Sequence, residues 1–197
     1  MEMNWSVAFF ANSALLGVGL AMDAFSVSMA NGLNAPGMGR GQMARIAGTF
    51  GFFQFLMPMV GWLCVRTVSR AFVGFQRAVP WIALALLGFI GGKMLLEGLT
   101  HRGEAAEADR APGHAALLVQ GVATSIDALS VGFTISEYGW PQAMAASAII
   151  AVVTFGICIG GLLIGRKFGT KLAGNASVLG GMILIFIGAE IFIKNII

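Results

Sequence analysis

The chain has 197 residues, of which 57% are hydrophobic and only 11% are charged, and its mean hydropathy is +0.84. Roughly a quarter of the residues in a soluble domain are charged, so this chain cannot cover itself with polar surface in water. The net charge of +3 is small and spread along the sequence, which argues against a nucleic-acid-binding protein. The composition therefore predicts a protein whose solvent is the lipid bilayer.

The apolar residues form six continuous runs, each long enough to cross a hydrocarbon core about 30 Å thick as a helix. Continuous runs lack the alternation of barrel strands, so we expect an all-α membrane protein with six transmembrane helices. The predicted spans are Val7–Asn31, Ile46–Val65, Val79–Leu99, Ala115–Ile135, Pro141–Gly165 and Leu172–Ile193. No cleavable signal peptide is predicted, because the first residues carry no positive charge.

Lysine and arginine in the loops predict the orientation, because cytoplasmic loops are enriched in both. One set of connections holds seven of them: Arg40, Arg45, Arg102, Arg110, Arg166, Lys167 and Lys171. The opposite set holds Arg66, Arg70 and Arg77, with Lys194 beside the C-terminus. We expect a multi-pass protein of the cytoplasmic (inner) membrane, with both termini outside.

Two similar strings divide the chain into halves. Residues 22–28 read MDAFSVS and residues 126–132 read IDALSVG, each in the first span of its half, and FIGGK at 89–93 aligns with FIGAE at 186–190. The middle spans match weakly around Gly61 and Gly161. Three spans per repeat reverse the direction of the second half, which predicts two inverted three-helix repeats. Residues 1–99 and 115–197 are the repeats, joined by a polar cytoplasmic linker at 100–114.

Asp23 and Asp127 are the clearest candidates for a functional site. Each lies inside an apolar span at the same place in its repeat, where a carboxylate costs on the order of 3 kcal/mol. Ser26, Ser130 and Thr124 are each three residues from an aspartate and share its helix face. We predict a metal site near the midplane, although each hydroxyl could instead bond its own helix.

The second span adds Gln54, four residues before Pro58. A proline frees the carbonyl four residues earlier, so Gln54 offers a backbone and an amide oxygen to a cation. The alternative is a kink with an interhelical hydrogen bond. Met57 is a soft ligand by chemistry, but core packing is the favoured interpretation.

The third spans of the two halves exchange charges. Lys93 and Glu97 stand four residues apart, and the aligned positions hold Glu190 and Lys194 with the signs reversed. These four residues form either two local ion pairs or a gate or coupling pair in which Lys93 meets Glu190 across the repeat axis.

Other chemistry is missing from the predicted spans. Both histidines lie in or beside the linker, and no phosphate-binding loop of the ATPase type occurs. Cys64 and Cys158 are expected to be buried apolar residues without a disulfide. We predict that the protein is not an enzyme and that it needs no cofactor. Oxygen ligands suit Mg, Ca or Mn, and two carboxylates balance one divalent cation.

The chain resembles manganese efflux pumps of the MntP type, in the lysine-exporter superfamily. The resemblance rests on residues 19–28, on FGFFQ at 50–54 followed by Met57-Pro58, on GGKM at 91–94 with Glu97, and on residues 123–132. It implies six spans, an inner-membrane location and export of Mn(II), with the functional aspartates at Asp23 and Asp127. The position of Gln54 is sometimes acidic in the family.

The residues favour a secondary-active exporter of Mn(II) that binds the metal at Asp23 and Asp127. Proton-coupled transport is compatible with this site. An exporter of a small organic cation or an amino acid is the alternative within transport. An intramembrane enzyme or assembly factor is the alternative from another class, but enzymes of that kind cluster acidic residues in one loop.

Overall fold

The computed structural model describes residues 6–67 and 111–169 continuously, and between 81 and 99 and between 178 and 193 it describes isolated helical positions. The two continuous stretches contain helices and connecting turns, with no strand among the residues described. The helices are α1 (Val7–Asn34), α2 (Arg40–Thr67), α3 (His114–Ala123), α4 (Ile126–Thr134) and α5 (Trp140–Gly169). The all-α prediction is confirmed for this part of the chain.

Three of these helices, α1, α2 and α5, are long and apolar enough to cross a membrane, and α3 with α4 makes a fourth if the bent pair is one span. They correspond to the first, second, fifth and fourth predicted spans. Each long helix extends beyond its predicted span at one end or both. The third and sixth predicted spans, Val79–Leu99 and Leu172–Ile193, lie outside the continuously described residues.

The fourth predicted span is two helices and not one straight helix, with a bend of 41° at Thr124 and Ser125. Thr124 Oγ1 donates to the carbonyl oxygen of Gln120 at 2.9 Å, and Ser125 Oγ donates to the carbonyl oxygen four residues earlier at 2.7 Å. Hydroxyls that bond back in this way often bend helices. The aligned residues of α1, Leu20 and Ala21, have no hydroxyl, and α1 continues without a break.

The described helices have two chemically distinct ends. At the basic end, Arg45 Nη2 donates to the carbonyl oxygen of Pro112 (3.4 Å), and Arg166 Nε donates to that of Pro36 (3.0 Å). This end holds the C-terminal ends of α1 and α5 and the N-terminal ends of α2 and α3.

The aromatic end holds the N-terminal ends of α1 and α5 and the C-terminal ends of α2 and α4. Trp62 Nε1 donates to the carbonyl oxygen of Tyr138 at 3.0 Å, the Trp62 and Trp140 rings are 5.4 Å apart, and Phe9 packs on Tyr138 at 5.5 Å. Tryptophan and tyrosine concentrate at membrane interfaces, so this end is suited to a headgroup layer.

Helices α1 and α5 run in the same direction and pack closely through glycines. A Cβ built on Gly17 would lie 3.1 Å from the Ile150 Cα, and one on Gly32 would lie 2.5 Å from the Leu162 carbonyl oxygen. Small residues allow such approach between helices in a membrane. Each half therefore packs its helices against those of the other half.

Helix α2 packs in the same way along α3 and α4. Phe53 fills the space beside Gly121, and farther along, Gly61 faces the carbonyl of Leu129. The two middle helices, α2 and α5, meet where a Cβ on Gly51 would lie 3.1 Å from the carbonyl oxygen of Ala151. The described core therefore consists of two parallel helix units, α1 with α5 and α2 with α3 and α4.

Candidate metal site

The side chain of Gln54 joins the two helix units near their centre. Its Nε2 donates to the carbonyl oxygen of Leu20 in α1 (3.1 Å) and to that of Thr124 at the bend between α3 and α4 (3.1 Å). Leu20 stands three residues before Asp23, and Thr124 stands three residues before Asp127. The two carbonyls therefore occupy the same position in the two similar sequence strings, and one amide holds both.

The oxygen at the other end of that amide is buried. Gln54 is fully buried, and its Oε1 has no hydrogen-bond partner among the described residues. A buried acceptor without a donor costs about 1–3 kcal/mol. Because both Nε2 contacts are carbonyl oxygens, the amide cannot be flipped without losing them. The arrangement leaves an oxygen that a cation or a water molecule can satisfy.

Asp23 lies on α1, one residue before the fully buried Ala24, and is itself half-buried. Its neighbour Met22 is exposed, so Asp23 sits where the inner face of α1 turns toward the outside of the described helices. This carboxylate is within one helical turn of the carbonyl that Gln54 binds.

Asp127 is the second residue of α4 and is exposed. Its Oδ1 accepts a hydrogen bond from the backbone N–H of Ala128 at 2.9 Å. The bend at Thr124 gives α4 an N-terminus of its own inside the predicted span, and helix N-termini stabilise negative charge. The break in the helix thus places the second carboxylate at the positive end of a helix dipole, an effect that the sequence pattern did not predict.

The three hydroxyls of the predicted site differ in environment. Ser26 Oγ donates to the carbonyl oxygen of Met22 at 3.0 Å, and Thr124 is buried and bonds to Gln120. Both hydroxyls therefore donate to a carbonyl of their own helix in this structure. Ser130 is exposed on α4. Of the three, only Thr124 contacts Gln54, and it does so through its backbone.

Neighbouring residues of the second span have structural roles. Pro58 lies inside α2, and Met57 packs with the apolar cluster of Leu20, Ala128 and Ile150. The packing interpretation of Met57 is consistent with this contact. Lys93, Glu97, Glu190 and Lys194 lie outside the described residues. Within the described part of the chain, no three acidic, histidine or cysteine side chains converge in one place.

One polar pair in the described helices was not predicted from the sequence. Asn31 Nδ2 donates to Gln120 Oε1 at 2.8 Å, and Gln120 Nε2 donates back to Asn31 Oδ1 at 3.4 Å. Both residues are buried, at 2% and 1% exposure. Two amides inside predicted spans were the available signal, but neither has a counterpart in the other repeat that would draw attention to it.

A cavity of about 540 Å³ lies between α1 and α4 on the aromatic side of Gln54. Its lining residues are Asn12, Leu15, Leu16, Gly19, Leu20, Val131, Thr134, Ile135 and Tyr138. Leu20 is shared between the cavity and the Gln54 hydrogen bond, so the cavity reaches the level of the candidate site.

Comparisons with known proteins identify the relatives of the chain. The sequence model of the family described as "Putative manganese efflux pump" matches residues 37–192. A protein of Methanosarcina mazei named "Putative manganese efflux pump MntP" is 39% identical over 187 residues, which cover 94% of this chain and 97% of that protein. A protein of the same name from Sorangium cellulosum is 38% identical over 196 residues, covering 95% and 98%. No solved structure is significantly similar to the chain.

Proposed function

The chain belongs to the family of manganese efflux pumps, and we propose that it is a secondary-active exporter of Mn(II) across the cytoplasmic membrane. The observation that carries the proposal is the Gln54 amide, which holds the carbonyls three residues before Asp23 and three residues before Asp127. Asp23 and Asp127 are duplicated by the repeat, and each stands three residues from a carbonyl held by this amide. Many secondary transporters built from inverted repeats bind their substrate near the midplane, at the interface of the repeats.

Packing contacts support two inverted repeats. Gly61 of the first half faces the Leu129 carbonyl, while at Gly161 of the second half a Cβ would lie 2.7 Å from the carbonyl oxygen of Phe25. Phe25 and Leu129 are aligned two residues after Asp23 and Asp127. The contact between the middle helix of one half and the first helix of the other therefore occurs twice, at equivalent residues.

The positions of the helix ends support six spans. Helix α2 ends at the aromatic end, beside Tyr138, but α3 begins at the basic end, beside Arg45. The chain between residues 67 and 114 must therefore cross from one end to the other an odd number of times. One crossing by Val79–Leu99 meets this requirement, and Leu172–Ile193 supplies the sixth span after α5 ends at the basic end.

The positions of these helix ends also support an orientation in which the basic end faces the cytoplasm and both chain termini are outside. We predict that a single cysteine replacing Glu137 reacts with an impermeant thiol reagent in intact cells and that one replacing Ala106 reacts only after lysis. Both variants need Cys64 and Cys158 replaced by alanine, and that double variant without added cysteine is the control for background labelling. Labelling at 106 and not at 137 in intact cells would reverse the orientation.

The proposed site binds Mn(II) through Asp23 and Asp127, with the Gln54 Oε1, the hydroxyls of Ser26, Ser130 and Thr124, and water as further oxygen donors. Oxygen donors in octahedral geometry suit Mn(II). Metal binding to carboxyl groups that carry protons releases those protons. A proton entering from outside can therefore displace the metal outward, which makes proton-coupled exchange the proposed source of energy.

Lys93 and Glu190 are proposed to meet across the repeat axis as a coupling pair, with Glu97 and Lys194 as their local partners. The charges are exchanged between equivalent positions of the two halves, and such an exchange allows one ion pair to form across the axis. In this role, the pair would hold the two repeats together in one state of the transport cycle.

Cellular metal content tests the function directly. Cells that produce the chain are expected to hold several-fold less manganese than cells without it after exposure to Mn(II), and to survive a higher external concentration. Magnesium, calcium and exported amino acids are measured in the same cultures. Unchanged manganese with a changed amino-acid pool would favour the organic-cation or amino-acid exporter, and no change in any solute would favour an enzyme or assembly factor.

A further inference from the structure

The two sides of the candidate site are not equivalent in this structure, although the sequence strings that form them are. On the basic side, α1 and α3 are joined by the Asn31–Gln120 amide pair, which is buried. On the aromatic side, a cavity of about 540 Å³ is lined by residues of α1 and α4, beside the apolar cluster in which Leu20 and Ala128 pack. One side is closed and the other is open to a cavity.

The repeat alignment relates these two sides residue by residue. Asp23 and Asp127 are 104 residues apart, and the same interval relates Asn31 to Ile135 and Leu16 to Gln120. Leu16 and Ile135 both line the cavity. The residues equivalent to the closed amide pair therefore both line the cavity, where Leu16 is half-buried and Ile135 is buried.

Two other residues that line the cavity also have buried equivalents on the closed side. Thr134 is exposed in the cavity, and its equivalent Ala30 is fully buried on the closed side. Val131 lines the cavity, and its equivalent Val27 is also fully buried. Exchanging the conformations of the two repeats would bury Thr134 and Val131 and would expose Ala30 and Val27.

We propose that Asn31 and Gln120 are the inner gate of the exporter and that Leu16 and Ile135 are its outer gate, the two closing alternately. This inference rests on the proposed function, since it assumes inverted repeats around one transport site. The structure corresponds to the state with the inner gate closed. Phe9 packs on Tyr138, which lines the cavity, with the ring centroids 5.5 Å apart.

The packing of the helices provides the movement. The close contacts at Gly32 and Gly161 hold α1 against α5, and those at Gly61 and Gly121 hold α2 against α3 and α4. Gln54 lies where the units cross, between the two gates. Rocking of one unit against the other at this crossing opens the inner gate while it closes the outer one, as in transporters built from inverted repeats.

The chemistry of the gates fits this cycle. Side-chain hydrogen bonds within membranes are modest in strength, so the amide pair can separate and bond to water that enters from the cytoplasm. Leu16 and Ile135 have no polar group, and their contact would exclude water from the opposite side. Neither gate contains an ionisable group that would compete with Asp23 and Asp127 for the cation.

Thiol labelling of the purified protein tests the gates without any transport measurement. In the Cys64→Ala/Cys158→Ala background, Thr134→Cys and Ala30→Cys are labelled separately with a small maleimide. We expect Thr134→Cys to react about tenfold faster. Adding Gln120→Ala should speed labelling at Ala30→Cys about threefold or more and slow it at Thr134→Cys. Leu118→Ala, at an exposed residue of the same helix, should change neither rate.

A second variant moves the amide pair to the other side. Leu16→Gln with Ile135→Asn should stabilise the state in which the outer gate is closed, so Thr134→Cys should be protected and Ala30→Cys exposed. If Gln120→Ala speeds labelling at position 30 while position 134 is unchanged, the amide pair is only a packing contact and the gate proposal is wrong. If labelling rises at one position as it falls at the other, but the protein transports no Mn(II), the gate proposal stands and the proposed substrate is wrong.

Discussion

Export of Mn(II) is expected to fall by about 100-fold or more when either Asp23 or Asp127 is replaced by asparagine. Loss of even a supporting partner of a metal ligand typically costs 10–100-fold in affinity or activity, and here the change removes one of two charges that balance the cation. Asparagine keeps the size of the side chain, so Asp23→Asn and Asp127→Asn should remain folded and inserted.

The measurement is Mn(II) transport by the purified protein in sealed vesicles, with binding and proton release recorded on the same samples. Glu137→Gln is the matched control, since it removes an acidic charge outside the helices, beside Tyr138 at the aromatic end. It should transport normally. Wild-type transport by both aspartate variants at wild-type abundance would contradict the shared site, and loss in only one would show that the repeats have diverged in role.

Aspartate-to-glutamate variants refine the same experiment. Asp23→Glu and Asp127→Glu keep the charge but add a methylene, which displaces the carboxylate oxygens in an octahedral site. They should retain transport above the asparagine variants and below the unaltered protein. Equal transport by the glutamate and unaltered proteins would mean that charge alone, without a defined ligand geometry, supports export.

The fold could be predicted from the sequence where composition alone decides it. Continuous apolar runs predicted α1, α2 and α5 because hydrocarbon requires every backbone group to be satisfied within the helix. The bend at Thr124 could not be predicted, since an identical hydroxyl can face a neighbouring helix or bond back to its own. In this structure, the carbonyl of Gln120 accepts the hydrogen bond from the Thr124 hydroxyl.

Part of the candidate site could also be predicted from the sequence. Asp23 and Asp127 are conspicuous because a carboxylate in an apolar span is costly, and their duplication indicated a shared location. The interhelical hydrogen bond of Gln54 was one of the two alternatives drawn from its spacing to Pro58. Its two carbonyl acceptors could not be predicted, because they depend on how three helices pack. Asn31 and Gln120 were missed because their partners lie 89 positions apart, beyond the reach of any local pattern.

Replacing Gly161 by leucine should remove most of the folded protein, whereas the same change at the adjacent Gly160 should be tolerated. A Cβ on Gly161 would lie 2.7 Å from the carbonyl oxygen of Phe25 and 3.3 Å from the Ser28 Cβ, but one on Gly160 meets no atom of the described residues within 4 Å. A backbone oxygen cannot move aside alone, so α1 and α5 would have to separate. Overpacking typically costs about 1–3 kcal/mol, and a clash with backbone places this change at the upper end.

The comparison of adjacent glycines isolates packing from helix propensity, because both substitutions replace glycine by the same residue in the same helix. Abundance in the membrane and the midpoint of thermal unfolding in detergent are the measurements. Gly61→Leu should behave as Gly161→Leu does, since it meets the carbonyl of Leu129 at the equivalent contact. Equal melting of the Gly160→Leu and Gly161→Leu proteins would reject the close packing of α1 on α5. Loss at Gly161 without loss at Gly61 would mean that only one half depends on this contact, and the equivalence of the two repeats would then no longer support a common site between them.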